Sequence, residues 1–132
     1  DFGIDLKGFY IDTFMKITGL QNKELAQRCK ETAWSAVSYI THHHREKVFL
    51  GVGIPYNKDL ISLEEIQCIG KELHTIDPFL QTTAMSYFNG YYRSKIVLPS
   101  FDEMKTVHTL LQEAGLKTVQ AFSTEFIPPS EK

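Results

Sequence analysis

Cysteine, proline and glycine are all scarce in this sequence of 132 residues, which contains two, five and eight of them respectively. Fibrous and low-complexity chains need far more glycine and proline, and a disulfide scaffold needs more cysteine. The hydrophobic fraction of 42% is instead typical of a folded globular domain. A chain of this length can bury roughly two-thirds of its unfolded surface without cross-links. We therefore expect one domain with reduced cysteines in a cytoplasmic setting.

An excess of charge of one sign is also lacking. The chain has 14 Lys and Arg against 16 Asp and Glu, a formal net charge of −2. Proteins that bind nucleic acid electrostatically show a strong basic excess, so the composition argues against such a partner. The longest apolar runs fall far short of a membrane span, and no signal-peptide pattern opens the chain. The sequence predicts neither a nucleic-acid nor a membrane partner.

Strand-like and helix-like segments alternate along the chain. Apolar runs predict strands at residues 2–6, 47–54, 79–85 and 116–122. Periodicity and capping signals predict helices at residues 9–17, 23–42, 62–74 and 100–114. Asn22 is the predicted N-cap of the second helix, and capping boxes are predicted at Ser62–Glu65 and Ser100–Glu103. This alternation predicts an α/β fold with a parallel sheet and right-handed crossovers, either an open doubly wound sheet or a partial (βα) barrel. Periodicity does not separate the two.

Burial can also be predicted for several segments. We expect residues 2–6 to form a buried strand and residues 47–54 a strand covered on both sides of the sheet. On the long second helix, we expect the spacing of five residues to mark the buried face. These residues are Leu25, Cys29, Ala33, Ala36 and Ile40, with Trp34 and Val37 widening the face.

The chain starts abruptly, with Asp1 instead of Met and with a strand at once. This predicts that it is a piece of a longer protein. We expect residues 1–122 to belong to the folded part and residues 123–132 to form a tail.

In either architecture, function lies at the carboxyl ends of the strands. Three places there carry candidate residues: Asp5 and Lys7, then Pro55 and Asn57, then Ser86, Tyr87, Phe88 and Asn89. Asp5 and Lys7 are two residues apart, so an extended strand directs both to one side. Such a pair suits a zwitterionic or polyhydroxyl ligand, or it is a simple local ion pair. The aromatic loop at residues 87–92 either lines a groove for a ligand or partner or only packs across the sheet.

The run His42, His43 and His44 and the two cysteines are the other candidates for chemistry. Adjacent histidines on a helix point in different directions, so this run suits a solvated helix end better than a metal site. Cys29 and Cys68 both lie in helical patterns, where we expect buried free thiols. We expect no metal site, and a hydrolase built on the histidines is the weakest hypothesis.

Several motifs together resemble the C-terminal half of radical S-adenosylmethionine (radical SAM) enzymes. They are D-L-K at 5–7, FMKITG at 14–19, VFLGVGIPYNKD at 48–59, SLEEIQCIGKEL at 62–73 and LPSFDEMKTVHTLLQEAGLKTV at 98–119. Each is weak alone, and their order and spacing carry the resemblance, which extends to about Phe122. The chain is most similar to pyruvate formate-lyase activating enzyme and related activases of glycyl radical enzymes.

The resemblance implies half of a TIM-like (βα)6-type barrel in which Asp5 and Lys7 contact the S-adenosylmethionine moiety or a nearby cation. It implies that the full-length parent is an oxidoreductase with a [4Fe-4S] cluster. Such a parent generates a 5′-deoxyadenosyl radical that abstracts hydrogen from a glycine of a glycyl radical enzyme, its protein substrate.

The sequence departs from the family at defined points. The CxxxCxxC cluster motif and the glycine-rich cofactor stretch are missing, and the resemblance places both upstream of Asp1. Leu50 stands where relatives often have a basic residue, and Phe88, with Asn89 beside it, stands where they often have His. We therefore expect this piece to bind no cofactor and to be inactive alone, and its open strand edges predict self-association. The alternative hypothesis is a self-contained α/β binding module that uses residues 87–92.

Overall fold

Four parallel strands and four helices make up residues 1–87 and 96–123, the part of the chain that the computed structural model describes. The strands are β1 (Phe2–Asp5), β2 (Leu50–Tyr56), β3 (Gln81–Ser86) and β4 (Val119–Phe122). The helices are α1 (Ile11–Thr18), α2 (Lys23–His44), α3 (Leu63–Ile76) and α4 (Phe101–Glu113). The predicted α/β class, with strands and helices in the predicted order, is confirmed.

The strands lie in the sheet in the order in which they occur in the chain, β1-β2-β3-β4, and every neighbouring pair is parallel. A doubly wound sheet reverses its strand order, and its helices cover both faces. Within the described residues the order is sequential and the core helices lie on one face, as in a singly wound sheet. Within the described residues the sheet is open, with β1 and β4 at its edges.

The two faces of the sheet differ in what covers them. One face carries a core that includes Val52, Ile54 and Ala84 from the strands. Helices α2, α3 and α4 contribute to the same core through residues such as Val37, Ile69 and Leu111. Helix α1 packs against α2.

The opposite face of the sheet is not covered by any helix or strand of the described residues. Alternation along the strands and the strand register place ten residues on it: Gly3, Asp5, Gly51, Gly53, Pro55, Gln81, Thr83, Met85, Gln120 and Phe122. All of them except Pro55 are exposed or half-buried. The expectation that β2 is covered on both sides is therefore wrong for the described residues.

Helix ends follow the local sequence. Asn22 Oδ1 accepts from the Leu25 N–H at 3.0 Å, and Ser62 Oγ accepts from the Glu65 N–H at 3.1 Å. Ser100 and Glu103 form a complete capping box. These predicted caps are confirmed because each depends on residues only three positions apart.

The burial prediction for β1 is wrong, and the one for α2 is right only in part. β1 is an edge strand whose residues are exposed or half-buried, and the first fully buried residue after it is Leu6. On α2 the predicted Val37 is buried, and Ala33, Trp34 and Ile40 pack against the core. Leu25 and Cys29, near the start of the helix, are exposed, and Ala26 and Thr41 are buried instead. No helix in the described part of the chain is long and apolar enough to cross a membrane.

Candidate functional site

The three predicted places meet at the carboxyl edge of the sheet because the strands are parallel. Asp5 pairs in register with Gly53 of β2, and Pro55 pairs with Met85 of β3. The topology therefore places these three segments side by side, as the sequence predicts.

Asp5 and Lys7 lie on the uncovered side of β1 and form an ion pair. Lys7 Nζ is 3.5 Å from Asp5 Oδ2, and the two side chains are 37% and 52% exposed respectively. Such a pair contributes little to stability because water competes for both charges. Both groups are accessible at the edge of the sheet, so a ligand that carries a carboxylate and an ammonium can interact with both of them.

The absence of a side chain at Gly53 makes room for the side chains of Asp5 and Met85. A Cβ at Gly53 would lie 2.5 Å from Asp5 Oδ1 and 2.8 Å from Met85 Cε. The Asp5 carboxylate and the Met85 thioether therefore both lie over the backbone of β2. The uncovered face thus combines, at its carboxyl edge, an anion, a cation and a polarisable apolar group.

Glu65 holds the segment that follows Lys7. This glutamate is only 3% exposed, and its carboxylate accepts from the Phe9 N–H at 2.8 Å and from the Thr13 hydroxyl at 2.6 Å. The second half of the expected capping box, a bond from Glu65 back to Ser62, is replaced by these contacts. Sequence analysis found the Ser62–Glu65 spacing but not the partner, which is 56 residues away in the chain.

Gly8 completes the turn between Lys7 and α1. It has φ of +102°, a conformation that favours glycine, and a Cβ there would lie 2.7 Å from Thr13 Cγ2 and 3.0 Å from Glu65 Oε2. The loop that carries Lys7 is therefore fixed by its own backbone conformation and by the first turn of α3.

Asn57, which follows β2, is 1% exposed. Its Nδ2 donates to the carbonyls of Tyr87 and Val97 at 3.0 and 2.8 Å, and its Oδ1 accepts from the Asp59 N–H at 3.0 Å. The amide therefore ties the end of β2 to the segments that flank residues 88–95. Pro55, within β2, is also buried.

Ser86 ends β3 and is buried, whereas Tyr87 is half-buried and donates its N–H to the Tyr56 carbonyl at 2.8 Å. Phe88, Asn89 and the rest of the predicted aromatic loop lie outside the described residues. Of that loop, only Tyr87 can be placed.

Tyr56, the last residue of β2, interacts electrostatically with Glu103 of α4. Burial raises the pKa of the Tyr56 phenol, and the charge of Glu103 raises it further. The pKa of Glu103 is lowered by its hydrogen bond from the Ser100 backbone N–H, and Lys58, 3.3 Å away, lowers it as well. The tyrosine is therefore kept in its neutral form and the glutamate in its charged form.

The histidines at the end of α2 have contacts within their own helix. His43 stacks on Tyr39 with ring centroids 4.4 Å apart, and His42 Nδ1 lies 3.2 Å from Ser38 Oγ. Cys68 is half-buried, with its Sγ 3.8 Å from the Tyr10 hydroxyl. The expectation of two buried thiols is therefore wrong. In the described ranges, no group of three His, Cys, Asp or Glu side chains could hold a metal ion.

A depression of about 580 Å³ lies at the opposite, amino-terminal edge of the sheet. Its walls include the end of α2, the segment from 45 to 50, and the segment from 77 to 81. Sequence analysis missed this place, because the only local signal is two phenylalanines, Phe49 and Phe79, beside predicted strands.

Comparison of the chain with protein-family models, with curated proteins and with solved structures found no match.

Proposed function

We propose that this chain is the C-terminal half of a radical SAM enzyme similar to pyruvate formate-lyase activating enzyme, and that it supplies one wall of a partial (βα) barrel. The observation that carries the proposal is the one-sided parallel sheet with the Asp5–Lys7 pair on its uncovered face. In the parent, this pair contacts the S-adenosylmethionine moiety. The parent's protein substrate is a glycyl radical enzyme.

The winding of the sheet supports the barrel. Parallel strands in sequential order, with helices packed on one face, are the arrangement of a barrel wall. Parallel sheets are normally covered on both faces, so we expect another part of the parent, or a ligand, to cover the open face of this sheet. In a barrel, that face is turned towards the interior, and residues at its carboxyl edge contact the ligands.

The chemistry of the pair supports the cofactor contact. S-adenosylmethionine has a sulfonium cation and a carboxylate, which match the Asp5 carboxylate and the Lys7 ammonium in charge. Because Gly53 has no side chain, the Asp5 carboxylate can lie over the backbone of β2, and the Asp5 side chain remains 52% exposed. Glu65 and Gly8 hold the Lys7 loop in place, so Lys7 loses less freedom when it binds.

The cluster does not fit this chain. A [4Fe-4S] cluster is held by cysteine thiolates, and the sequence has only Cys29 and Cys68. Cys29 is exposed on α2 and Cys68 is half-buried beside Tyr10, and no third ligand accompanies either of them within the described residues. The proposal therefore assigns the cluster, and the hydrogen abstraction that depends on it, to the full-length parent.

The first test is the sequence upstream of Asp1. The ~150 codons that precede it, a span set by the usual size of α/β barrels, should encode a CxxxCxxC motif. A start codon near Asp1 would contradict the proposal and favour the binding module that uses residues 87–92. Anaerobic reconstitution of the chain alone should yield no cluster, and roughly four irons per chain would refute that expectation.

The second test concerns the pair itself in the full-length parent. Asp5→Asn and Lys7→Met should each weaken S-adenosylmethionine binding by about 10-fold to 100-fold, the usual effect of losing one charged hydrogen bond. Asp12→Asn, at an exposed position on α1, is the matched control and should leave the affinity unchanged. Equal affinities for all variants, measured by calorimetry, would remove Asp5 and Lys7 from the cofactor site.

A further inference from the structure

The edge of the sheet at β1 presents backbone groups that face away from the other strands. The N–H groups of Phe2 and Leu6 donate to carbonyls of the β2 segment at 2.9 and 2.8 Å. Alternation along the strand therefore directs the N–H and C=O groups of Gly3 and Asp5 outwards. β1 contains no lysine or proline, the residues that commonly prevent pairing at an edge strand. This edge is thus suited to pair with a further parallel strand.

The edge at β4 is the counterpart of the β1 edge. The Thr82 N–H of β3 donates to the Thr118 carbonyl at 2.9 Å, so alternation directs the backbone groups of Val119 and Ala121 outwards. His108 Nε2 donates to the Val119 carbonyl at 3.1 Å and satisfies it. Ala121 is therefore the residue of β4 whose N–H and C=O are both placed to pair with a further strand. β4 also lacks lysine and proline.

A groove of about 190 Å³ lies beside the β4 edge, between α4 and the strand. Its lining includes Phe101, Met104 and Ala121. At the opposite edge of the sheet, Phe2 is 56% exposed, and alternation places it on the side of the sheet that the helices cover. One edge of the sheet thus carries an exposed ring and the other an apolar groove, both on the same side.

We propose that two copies of this chain join β4 of each to β1 of the other and close a barrel of eight parallel strands, with the uncovered faces turned inwards. Four parallel strands in sequential order, with helices on one face, are half of such a barrel. A twofold axis makes the two seams identical, so no strand edge stays open. The inference concerns the 132-residue chain and does not rest on the proposed function, in which the other half of the parent takes the place of the second copy.

Closure fixes the register across each seam. Eight parallel strands close with a shear of about eight residues, so a row of paired residues shifts by about four over the strands of one copy. Right-handed crossovers and strand tilt direct this shift towards the amino-terminal ends. One row of the sheet consists of Ile4, Val52, Thr82 and Val119. It continues four positions before Ile4 of the second copy, so Ala121, two residues beyond Val119, pairs with Phe2 of the second copy.

This register agrees with the features of both edges. It brings the Phe2 ring of the second copy beside Ala121 and hence to the groove. The Ala121 carbonyl then accepts from the Gly3 N–H of the second copy, and both of these groups point outwards in the single chain. An even shift also keeps the uncovered faces of the two copies on the same side of the sheet.

The side chains of the uncovered face suit the interior of a closed barrel. Each interior layer of such a barrel takes four side chains from alternate strands. The shear combines β1 with β3, and β2 with β4, in the layers Gly3 with Thr83, Gly51 with Gln120 and Gly53 with Phe122. A glycine therefore alternates with a larger residue in each layer, a common way of filling a small barrel.

The contact is large enough for a stable dimer. The uncovered face, the two edge strands and the groove contribute about twenty residues per copy, as in a standard interface of roughly 800 Å² per partner. Phe2 and Phe122 are each more than half exposed in the single chain and become buried in the barrel. Aromatic side chains contribute strongly to interfaces of this kind.

Sedimentation equilibrium of the 132-residue chain tests the proposal. The chain should be a dimer at about 50 μM, with a micromolar dissociation constant. Gly3→Pro removes the N–H that pairs across the seam but no bond to β2, and proline is tolerated on an edge strand. Phe2→Ser removes the ring from the groove. Each variant should keep the helix content of the wild type and weaken the dimer at least about tenfold.

Tyr39→Ser is the matched control for Phe2→Ser. Tyr39 is exposed to the same extent as Phe2, 56%, but lies on α2, away from both edges of the sheet. This variant should dimerise like the wild type.

Paired cysteines test the register in a chain from which Cys29 and Cys68 have been removed. Phe2→Cys combined with Ala121→Cys should form a disulfide between copies under mild oxidation, because neighbouring strands bring the two Cβ atoms to about 5 Å. Ile4→Cys combined with Ala121→Cys is shifted by two residues and should cross-link at least about tenfold more slowly.

Four results would overturn the proposal. The first is a monomer at about 50 μM, well above the expected dissociation constant. The second is a dimer that Gly3→Pro and Phe2→Ser both preserve, since it would use another surface. The third is a series of assemblies that grow beyond two copies, since an open stack of sheets is not a closed barrel. The fourth is equal cross-linking of the two cysteine pairs, which would contradict the register that closure requires.

Discussion

The two faces of the sheet are built from alternate residues of the same four strands, yet they have different compositions. The covered face is made of β-branched and other apolar residues such as Val52 and Ile54, which are almost inaccessible to water. The uncovered face has glycine at 51 and 53, a threonine at 83 and an ion pair at its carboxyl edge. Stability is therefore concentrated on one face, and the other retains the groups that suit a ligand or an occupant.

The largest expected effect is the contrast between substitutions of one residue on each face. Ile54→Ala removes a fully buried side chain and should lower the free energy of unfolding by about 2–5 kcal/mol. Thr83→Ala, on the uncovered face of the adjacent strand, should cost less than about 1 kcal/mol. Urea denaturation measures both. A comparable cost for the two would contradict the comparison, and a midpoint that rises with protein concentration would show that the uncovered face is buried by self-association.

Glu65 connects the helices on the covered face with the loop that follows Lys7. It lies on α3, and its carboxylate accepts from the Phe9 N–H and the Thr13 hydroxyl of that segment. Glu65→Gln places an amide nitrogen or a neutral oxygen against the Phe9 N–H and the Thr13 hydroxyl. It should lower the free energy of unfolding by about 1–3 kcal/mol. Glu64→Gln, at the exposed neighbouring position, is the control. Amide exchange at Phe9 should also accelerate in the first variant only, and unchanged exchange would show that Glu65 does not hold the loop.

Substitutions of two glycines, one among the packed helices and one on the uncovered face, test the comparison of the two faces further. A Cβ at Gly70, on the side of α3 that packs against α4, would lie 2.8 Å from Ala114 Cβ, which cannot move without its backbone. Gly70→Ala should therefore cost about 1–3 kcal/mol despite the better helix propensity of alanine. Gly53→Ala meets only the ends of the Asp5 and Met85 side chains and should cost less than about 1 kcal/mol. The reverse order in thermal unfolding would contradict the packing described for the two faces.

The smallest expected effect is the pH dependence that Glu103 contributes. Its pKa in the folded chain is below its ordinary value, so the charged form stabilises the fold above that value, and the contribution is lost as the pH falls through the folded pKa. Wild type should exceed Glu103→Gln by about 0.5–1 kcal/mol near neutral pH, and the difference should shrink in acid below about pH 4. Glu72→Gln, at an exposed position on α3, should show no such dependence. A difference that is constant with pH would contradict this assignment.

Predictability from the sequence depended on how local each feature is. The caps at Asn22, Ser62 and Ser100 were predicted because their bonds join residues three positions apart. The partner of the Glu65 carboxylate was not, because it comes from a distant loop. The buried side of α2 was predicted only in part: Val37 and Trp34 pack as expected, but Cys29 is exposed and Thr41 is buried.

The candidate site was predictable in position but not in detail. Parallel strands bring their carboxyl ends together, so Asp5, Pro55 and Ser86 were expected at one edge before any coordinates. The sequence did not indicate that Asn57 would use its amide on the carbonyls of Tyr87 and Val97. Nor did it indicate that the Asp5 carboxylate would lie over Gly53, since that depends on the register between β1 and β2.

The sequence by itself determined the α/β class, the order of strands and helices and most of the helix ends, because these follow from periodicity and from contacts between near neighbours. Only the tertiary structure decided that, within the described residues, the strands lie in sequential order and helices cover one face of the sheet. It also decided that the Glu65 carboxylate holds the loop after Lys7, and that the Thr41 hydroxyl has no hydrogen-bond partner among the described residues. Each of these depends on segments that are far apart in the chain, whose relative positions are set by packing and not by any local pattern.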